Sequence, residues 1–215
     1  MTCILLIEND PLLRSALHGA FEQQGFTVVA SCAGSEEAMA AAETTAFDAV
    51  VTDLDLGEGP NGMVIAHTLR RRQPELGVVV LTSYSEPRLV GSKLSQLPLG
   101  SEYVLKHEVS DMPALCARVE RAIEQAGLPG DQEAPNSESP LTNNQLDTMR
   151  LVAQGMTNAE IARARCVTEK SVERTLNRLA QQLGLTADRT HNTRVQITRT
   201  YYALAGADGH DPLAH

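Results

Sequence analysis

Three ionisable residues stand at or just after the ends of short apolar runs: Glu8 after Cys3–Ile7, Asp53 closing Ala49-Val50-Val51-Thr52-Asp53, and Lys106 after Tyr103-Val104-Leu105. If those runs are parallel strands, each side chain lies at a strand's carboxyl end, where an open doubly wound sheet builds a ligand site at its topological switch point. A carboxylate so placed can attack phosphorus and form an acyl phosphate, provided the phosphoryl oxygens are neutralised and positioned. An ammonium such as Lys106 would hold one oxygen as a point charge, and a hydroxyl such as Thr82 could bond another. A second constellation lies far downstream, where Lys170, Arg174, Asn177, Arg178 and Gln181 share one helical face. Arg, Asn and Gln are side chains that can make bidentate contacts to guanine and adenine edges, although a solvated charged face is the commoner reason for such a stripe.

The elements that must position these residues are readable from period and composition. Cys3–Ile7, Thr27–Ser31, Asp48–Asp53, Val78–Thr82 and Tyr103–Leu105 are short, apolar and largely β-branched, as buried strands are. Amphipathic patterns at about 11–25, 35–44, 62–73, 86–96 and 110–126 predict helices between and after them. Such alternation gives an α/β doubly wound parallel five-stranded sheet, covered on both faces. Gly127–Pro140 has the Pro, Gly and Ser content of a flexible linker. Beyond it, Thr142 with Gln145 and Thr157 with Glu160 have capping-box spacing. They predict a helix opening at Thr142, a short helix through Ile161 and Ala164, and a third over 168–183 whose Val172, Leu176, Leu179 and Leu183 form the buried face. This is a helix-turn-helix pattern within an all-α domain at 141–206, closed by a fourth helix at about 190–205. The tail, 207–215, reads as disordered.

Charge divides along the same lines. The formal net charge is -9, yet residues 141–215 carry two more bases than acids while the first 126 carry eight more acids than bases. The basic end is the candidate for a nucleic-acid partner. Cys3, Cys32, Cys116 and Cys166 are scattered, with no C-x-x-C pair, and read as small buried apolar residues in a reducing cytoplasm. No apolar stretch reaches the roughly 18 residues of a membrane span, and no signal peptide is visible.

In the first 126 residues, Glu8-Asn9-Asp10-Pro11, Asp53 with Asp55, Asn61-Gly62, Leu81-Thr82 and Tyr103-Val104-Leu105-Lys106 occur in order on strand ends. Together they resemble the receiver domain of two-component response regulators. Residues 141–206 resemble the LuxR-type DNA-binding domain, most clearly in Thr157-Asn158-Ala159-Glu160-Ile161-Ala162 and Glu169-Lys170-Ser171-Val172-Glu173-Arg174. The first resemblance implies a flavodoxin-like strand order 2-1-3-4-5, phosphorylation of Asp53 by a sensor histidine kinase, phosphoryl contacts from Thr82 and Lys106, and Tyr103 as a switch residue. It also implies Mg²⁺ held through Glu8, the Asn9 position, Asp53 and the backbone carbonyl of Asp55. The second implies double-stranded DNA as partner, contacted through Lys170, Glu173, Arg174, Asn177 and Arg178. It further implies a homodimer formed through the fourth helix, with RNA polymerase a further partner. A cytoplasmic transcription regulator follows, and not a dedicated enzyme.

Several positions depart from these patterns. Asn9 stands where the receiver family usually has a metal-binding Asp, so Mg²⁺ affinity is in question. Asp10 could substitute, or it could simply cap the helix that Pro11 opens. An alternative reading is an atypical DNA-binding regulator independent of phosphorylation; another is a phosphorelay protein or adaptor that has lost DNA binding. The loop Gly57–Gly62 is one residue longer than usual, Ser83 follows Thr82 where a smaller residue is usual, and Gln145 and Thr175 replace the Glu and His common in the second family.

Overall fold

Branched apolar side chains fill the strands of the first half: β1 (Cys3–Ile7), β2 (Thr27–Cys32), β3 (Ala49–Thr52), β4 (Gly77–Thr82) and β5 (Glu102–Leu105). In the computed structural model, which describes residues 1–90, 97–127, 141–185 and 192–206, all their pairings are parallel and their order is β2-β1-β3-β4-β5. β3 and β4 are buried along their whole length, as strands covered on both faces must be. The helices are α1 (Pro11–Gln23), α2 (Ser35–Thr44), α3 (Gly62–Arg72) and α4 (Met112–Gln125). Phe21 of α1 and Val119 of α4 are fully buried in one cluster with Ile4, Val51 and Val79. The expected five-stranded, doubly wound fold is the fold observed.

One expected helix is different. Over 86–90 the chain forms a short 3-10 turn, Pro87–Val90, and 91–96 lie outside the described residues. The Glu86 carboxylate accepts from the Arg88 backbone N–H at 3.1 Å, the bond an N-cap makes at a helix start.

Chain contacts divide the protein into two units, Met1–Ser83 with Val90–Asn136, and Tyr84–Leu89 with Ser137–His215. The linker expected at 127–140, apart from Gly127, and the tail at 207–215 lie outside the described residues. The second unit holds α5 (Asn143–Ala153), α6 (Asn158–Ala164), α7 (Glu169–Gln182) and α8 (Thr193–Leu204). Both capping boxes form, Thr142 with Gln145 and Thr157 with Glu160. Met149, Ile161, Leu179 and Ile197, one from each helix, are fully buried. Cys166, in the turn between α6 and α7, has φ 53°, the left-handed region that L-residues avoid.

Burial of the cysteines is only partly as expected. Cys32 and Cys116 are buried, with thiols pushed up by desolvation, whereas Cys3 is half-buried and Cys166 exposed, and all four are free.

Candidate functional site

Register places the reactive groups side by side. Ile7 pairs with Thr52, Thr52 with Val80, and Thr82 with Leu105, so Glu8, Asp53 and Lys106 each follow the end of a strand in the same sheet. Lys106 Nζ donates to Glu8 Oε2 and to Asp53 Oδ2, both at 2.8 Å. Asp53 Oδ1 accepts from the backbone N–H groups of Leu54 at 2.6 Å and Asp55 at 3.3 Å. Glu8 is 1 % and Asp53 8 % exposed. Burial disfavours the charge on Lys106, but its bonds to the two carboxylates outweigh that cost, and its pKa is raised above the usual lysine range. Thr82 is fully buried at the end of β4, and Tyr103 is half-buried on β5 opposite Val80.

Two neighbours that the periodic patterns do not single out hold this arrangement. A Cβ on Gly62 would stand 1.9 Å from the Asp53 carbonyl oxygen and 2.9 Å from Thr52 Oγ1, so only glycine lets α3 begin against the strand end. Arg14, one turn into α1, donates to the Glu8 carbonyl at 2.5 Å and to that of Asn9 at 3.3 Å, fixing the loop that carries Glu8. Asp10 is the N-cap of α1, accepting from Leu13 N–H at 2.8 Å, so its carboxylate is engaged in the helix start. The Asn9 side chain is exposed, and the Asp55 carboxylate accepts from Gly57 N–H at 3.2 Å.

In the second unit, Lys170, Glu173, Arg174, Asn177 and Arg178 are all exposed on α7, while Val172, Leu176 and Leu179 are buried on its other face. A groove of about 520 Å³ runs between the start of α5 and α7, lined by Asn144, Thr175, Arg178 and Gln181 among others. Gln145 Nε2 donates to Gln182 Oε1 across its floor. Arg165 Nη1 reaches back to Thr148 Oγ1 at 2.5 Å and to the Asn144 carbonyl at 3.3 Å, tying the turn before α7 to α5. The capping-box spacing marks Gln145; no periodic signal marks Arg165.

Residues 4–120 match the response regulator receiver domain, and residues 139–195 match the bacterial regulatory proteins of the luxR family. This chain is a LuxR-family response regulator. Among its relatives is the DNA-binding transcriptional activator DevR/DosR of Mycobacterium tuberculosis, 29 % identical over 198 residues, covering 86 % of this chain and 89 % of that protein. Another is the DNA-binding transcriptional activator EvgA of Escherichia coli K12, 24 % identical over 191 residues, covering 83 % and 90 %. Among solved structures, RcsB, described as two dimers bound to two parallel DNAs, shares the fold with a TM-score of 0.54 at 19 % identity, covering 95 % of this chain and 98 % of that one.

The donor set of the response regulator meets the minimum for Mg²⁺. Among the described residues no group of three or more His, Cys, Asp and Glu could hold a metal ion. Mg²⁺, however, is held by as few as one or two carboxylates, with waters and phosphate oxygens completing its shell. Glu8 and Asp53 supply those two, and Lys106 competes for both. No helix among the described residues is long and apolar enough to cross a membrane.

Proposed function

We propose that this chain is a transcription regulator that accepts a phosphoryl group on Asp53 from a sensor histidine kinase and binds double-stranded DNA as a homodimer through α7. The observation that carries the first part is the contact of Lys106 with Asp53 at 2.8 Å. It puts a fixed positive charge beside the one strand-end carboxylate that also accepts two backbone N–H groups. In the transfer, an Asp53 carboxylate oxygen bonds to phosphorus as the bond to the kinase histidine nitrogen breaks. Lys106 then holds a phosphoryl oxygen as a point charge, the Thr82 hydroxyl bonds another, and Tyr103 follows the movement of Thr82. Mg²⁺ would be held through Glu8, Asp53 and the Asp55 carbonyl, with the Asn9 amide as a neutral fourth donor, and would neutralise phosphoryl charge. On α7, Arg174, Asn177 and Arg178 read base edges and Lys170 contacts phosphate, a reading supported by their exposure on one face of the helix. The α8 helix supplies the dimer contact.

A second reading is favoured by Asn9, which leaves the metal position one charge short: a regulator that binds DNA whatever the state of Asp53. Acetyl phosphate with Mg²⁺, followed by intact-mass analysis and DNA titration, separates the two. Phosphoryl mass gained by the parent and absent from Asp53→Asn, with tighter DNA binding after phosphorylation, supports the first. DNA binding by a parent that gains no mass supports the second.

A further inference from the structure

The groove between α5 and α7 is built from amides and one guanidinium. Of the described residues that line it none is acidic, and Arg178 is the one that is charged. Its floor is the neutral pair in which buried Gln145 donates to Gln182. The Gln145 carboxamide oxygen accepts from the backbone N–H and hydroxyl of Thr142, at 2.8 and 2.9 Å, so the capping box fixes this floor in place. Asn144 on one wall and Arg178 and Gln181 on the other are exposed. Neither Arg178 nor Arg165, which donates to the Asn144 carbonyl at 3.3 Å, pairs with a carboxylate among the described residues, unlike Arg88 with Glu86 and Arg150 with Asp147.

The two flanks of α7 differ in charge in the same sense. Thr175, Arg178 and Gln182, three and then four positions apart, share the flank that faces α5. Glu169 and Glu173 are exposed, and the step from Glu173 to Thr175 turns about 200° around the helix, which puts the two acids on the opposite flank. A helix in the major groove is bordered by a phosphate backbone on each side. Phosphodiesters meet repulsion from Glu169 and Glu173 on one border and no carboxylate on the other.

We propose that the α5–α7 groove seats the sugar–phosphate backbone of one DNA strand, with its neutral glutamine floor as the feature that admits the charge. The inference rests on the DNA-binding reading of α7 above. In the seat Arg178 supplies the positive charge, its five N–H donors serving a base edge and a phosphate oxygen together, and the Asn144 and Gln181 amides donate to further phosphate oxygens. Such contacts fix the register of α7 on the duplex and carry no sequence information themselves. A carboxylate in the floor would repel the phosphodiester from within the distance over which salt screens.

The test measures binding of the full chain to a preferred and a scrambled duplex by fluorescence anisotropy over a range of salt. Gln145→Glu keeps a capping-box residue, so helix content and denaturant midpoint should match the parent's, yet both duplexes should bind about tenfold more weakly at low salt. The deficit should shrink as salt rises. Gln182→Lys should tighten both duplexes and steepen the dependence of log affinity on log salt by about one unit. The double variant, whose two new charges cancel, should return close to the parent. Gln24→Glu makes the same change of net charge in the first unit and should leave both affinities unchanged. Either single groove variant binding both duplexes as the parent does, a loss confined to the preferred duplex, or an equal loss in Gln24→Glu would overturn the seat while leaving α7 as the DNA-binding element. A parent that binds neither duplex refutes the DNA-binding reading itself, and the seat with it.

Discussion

The ammonium of Lys106 lies 2.8 Å from Oδ2 of Asp53, a residue 53 positions earlier in the chain. The same nitrogen is equally close to Glu8, so one cation serves two buried carboxylates that would otherwise repel each other.

Removing that cation is therefore costly. Breaking a buried ion pair costs roughly 3–5 kcal/mol, and because the Lys106 side chain is 21 % exposed, Lys106→Met is expected to lose about 1–3 kcal/mol in urea unfolding. Mg²⁺, freed from competition, should raise the variant's melting temperature more than the parent's. The pH dependence has a definite sign. A raised lysine pKa contributes stability that is fully present below the ordinary value of 10.5 and lost as pH rises through the folded value. The stabilities of parent and variant should accordingly converge in alkaline solution, and a gap that persists there would assign the loss to packing.

Asn9→Asp adds a carboxylate to the proposed metal position. Another unit charge a few ångströms from a divalent ion is worth up to a few kcal/mol at an effective dielectric near 20, before desolvation, so Mg²⁺ should bind at least about tenfold tighter, which corresponds to about 1.4 kcal/mol. Calorimetric titration of both proteins measures this. Equal affinities would mean that another group already fills the role.

Cys166→Gly should stabilise the second unit. An L-residue in the left-handed region costs roughly 1–2 kcal/mol, and the greater freedom of glycine in the unfolded chain returns up to about 1 of that. A net gain of about 0.5 kcal/mol is expected, readable as a higher midpoint in denaturant for the helical transition. A lower midpoint would show that the cysteine side chain makes a contribution larger than its backbone cost.

On α7, removing the proposed base contacts and removing the proposed phosphate contact should look different. Arg174→Ala and Asn177→Ala are expected to cost about 1–3 kcal/mol on a preferred duplex and much less on a scrambled one. Lys170→Ala should weaken both about equally and make the salt dependence shallower by about one unit. Equal losses by all three on both duplexes would show that this face does not read bases.

Much of this geometry is legible before folding is considered. Glu8, Asp53 and Lys106 each sit where a run of Val, Ile or Leu stops, so the pattern that marks the strands also marks their ends. The opposite faces of α7 follow from the spacing of Val172, Leu176 and Leu179. What is not legible depends on reach and local geometry. Arg14 and Arg165 act through long side chains that meet main-chain carbonyls, and periodicity carries no record of such contacts. Of the helix expected over 86–96, the described part, Pro87–Val90, is a 3-10 turn, a distinction that amphipathic spacing does not make. The four cysteines look alike in sequence, yet Cys166 is exposed, in a turn whose left-handed conformation only the fold reveals.

The bond between Lys106 and Glu8 closes a loop across 98 positions, and this sets the order in which the site can assemble during synthesis. Glu8 and Asp53 leave the ribosome first. At about 5–20 residues per second, they wait several seconds for the residue that neutralises them. Throughout that interval the two carboxylates at the adjacent ends of β1 and β3 are without the Lys106 bonds that hold them in the finished sheet. Emergence of β5 supplies the last strand and the missing cation together, which ties completion of the core to completion of the site.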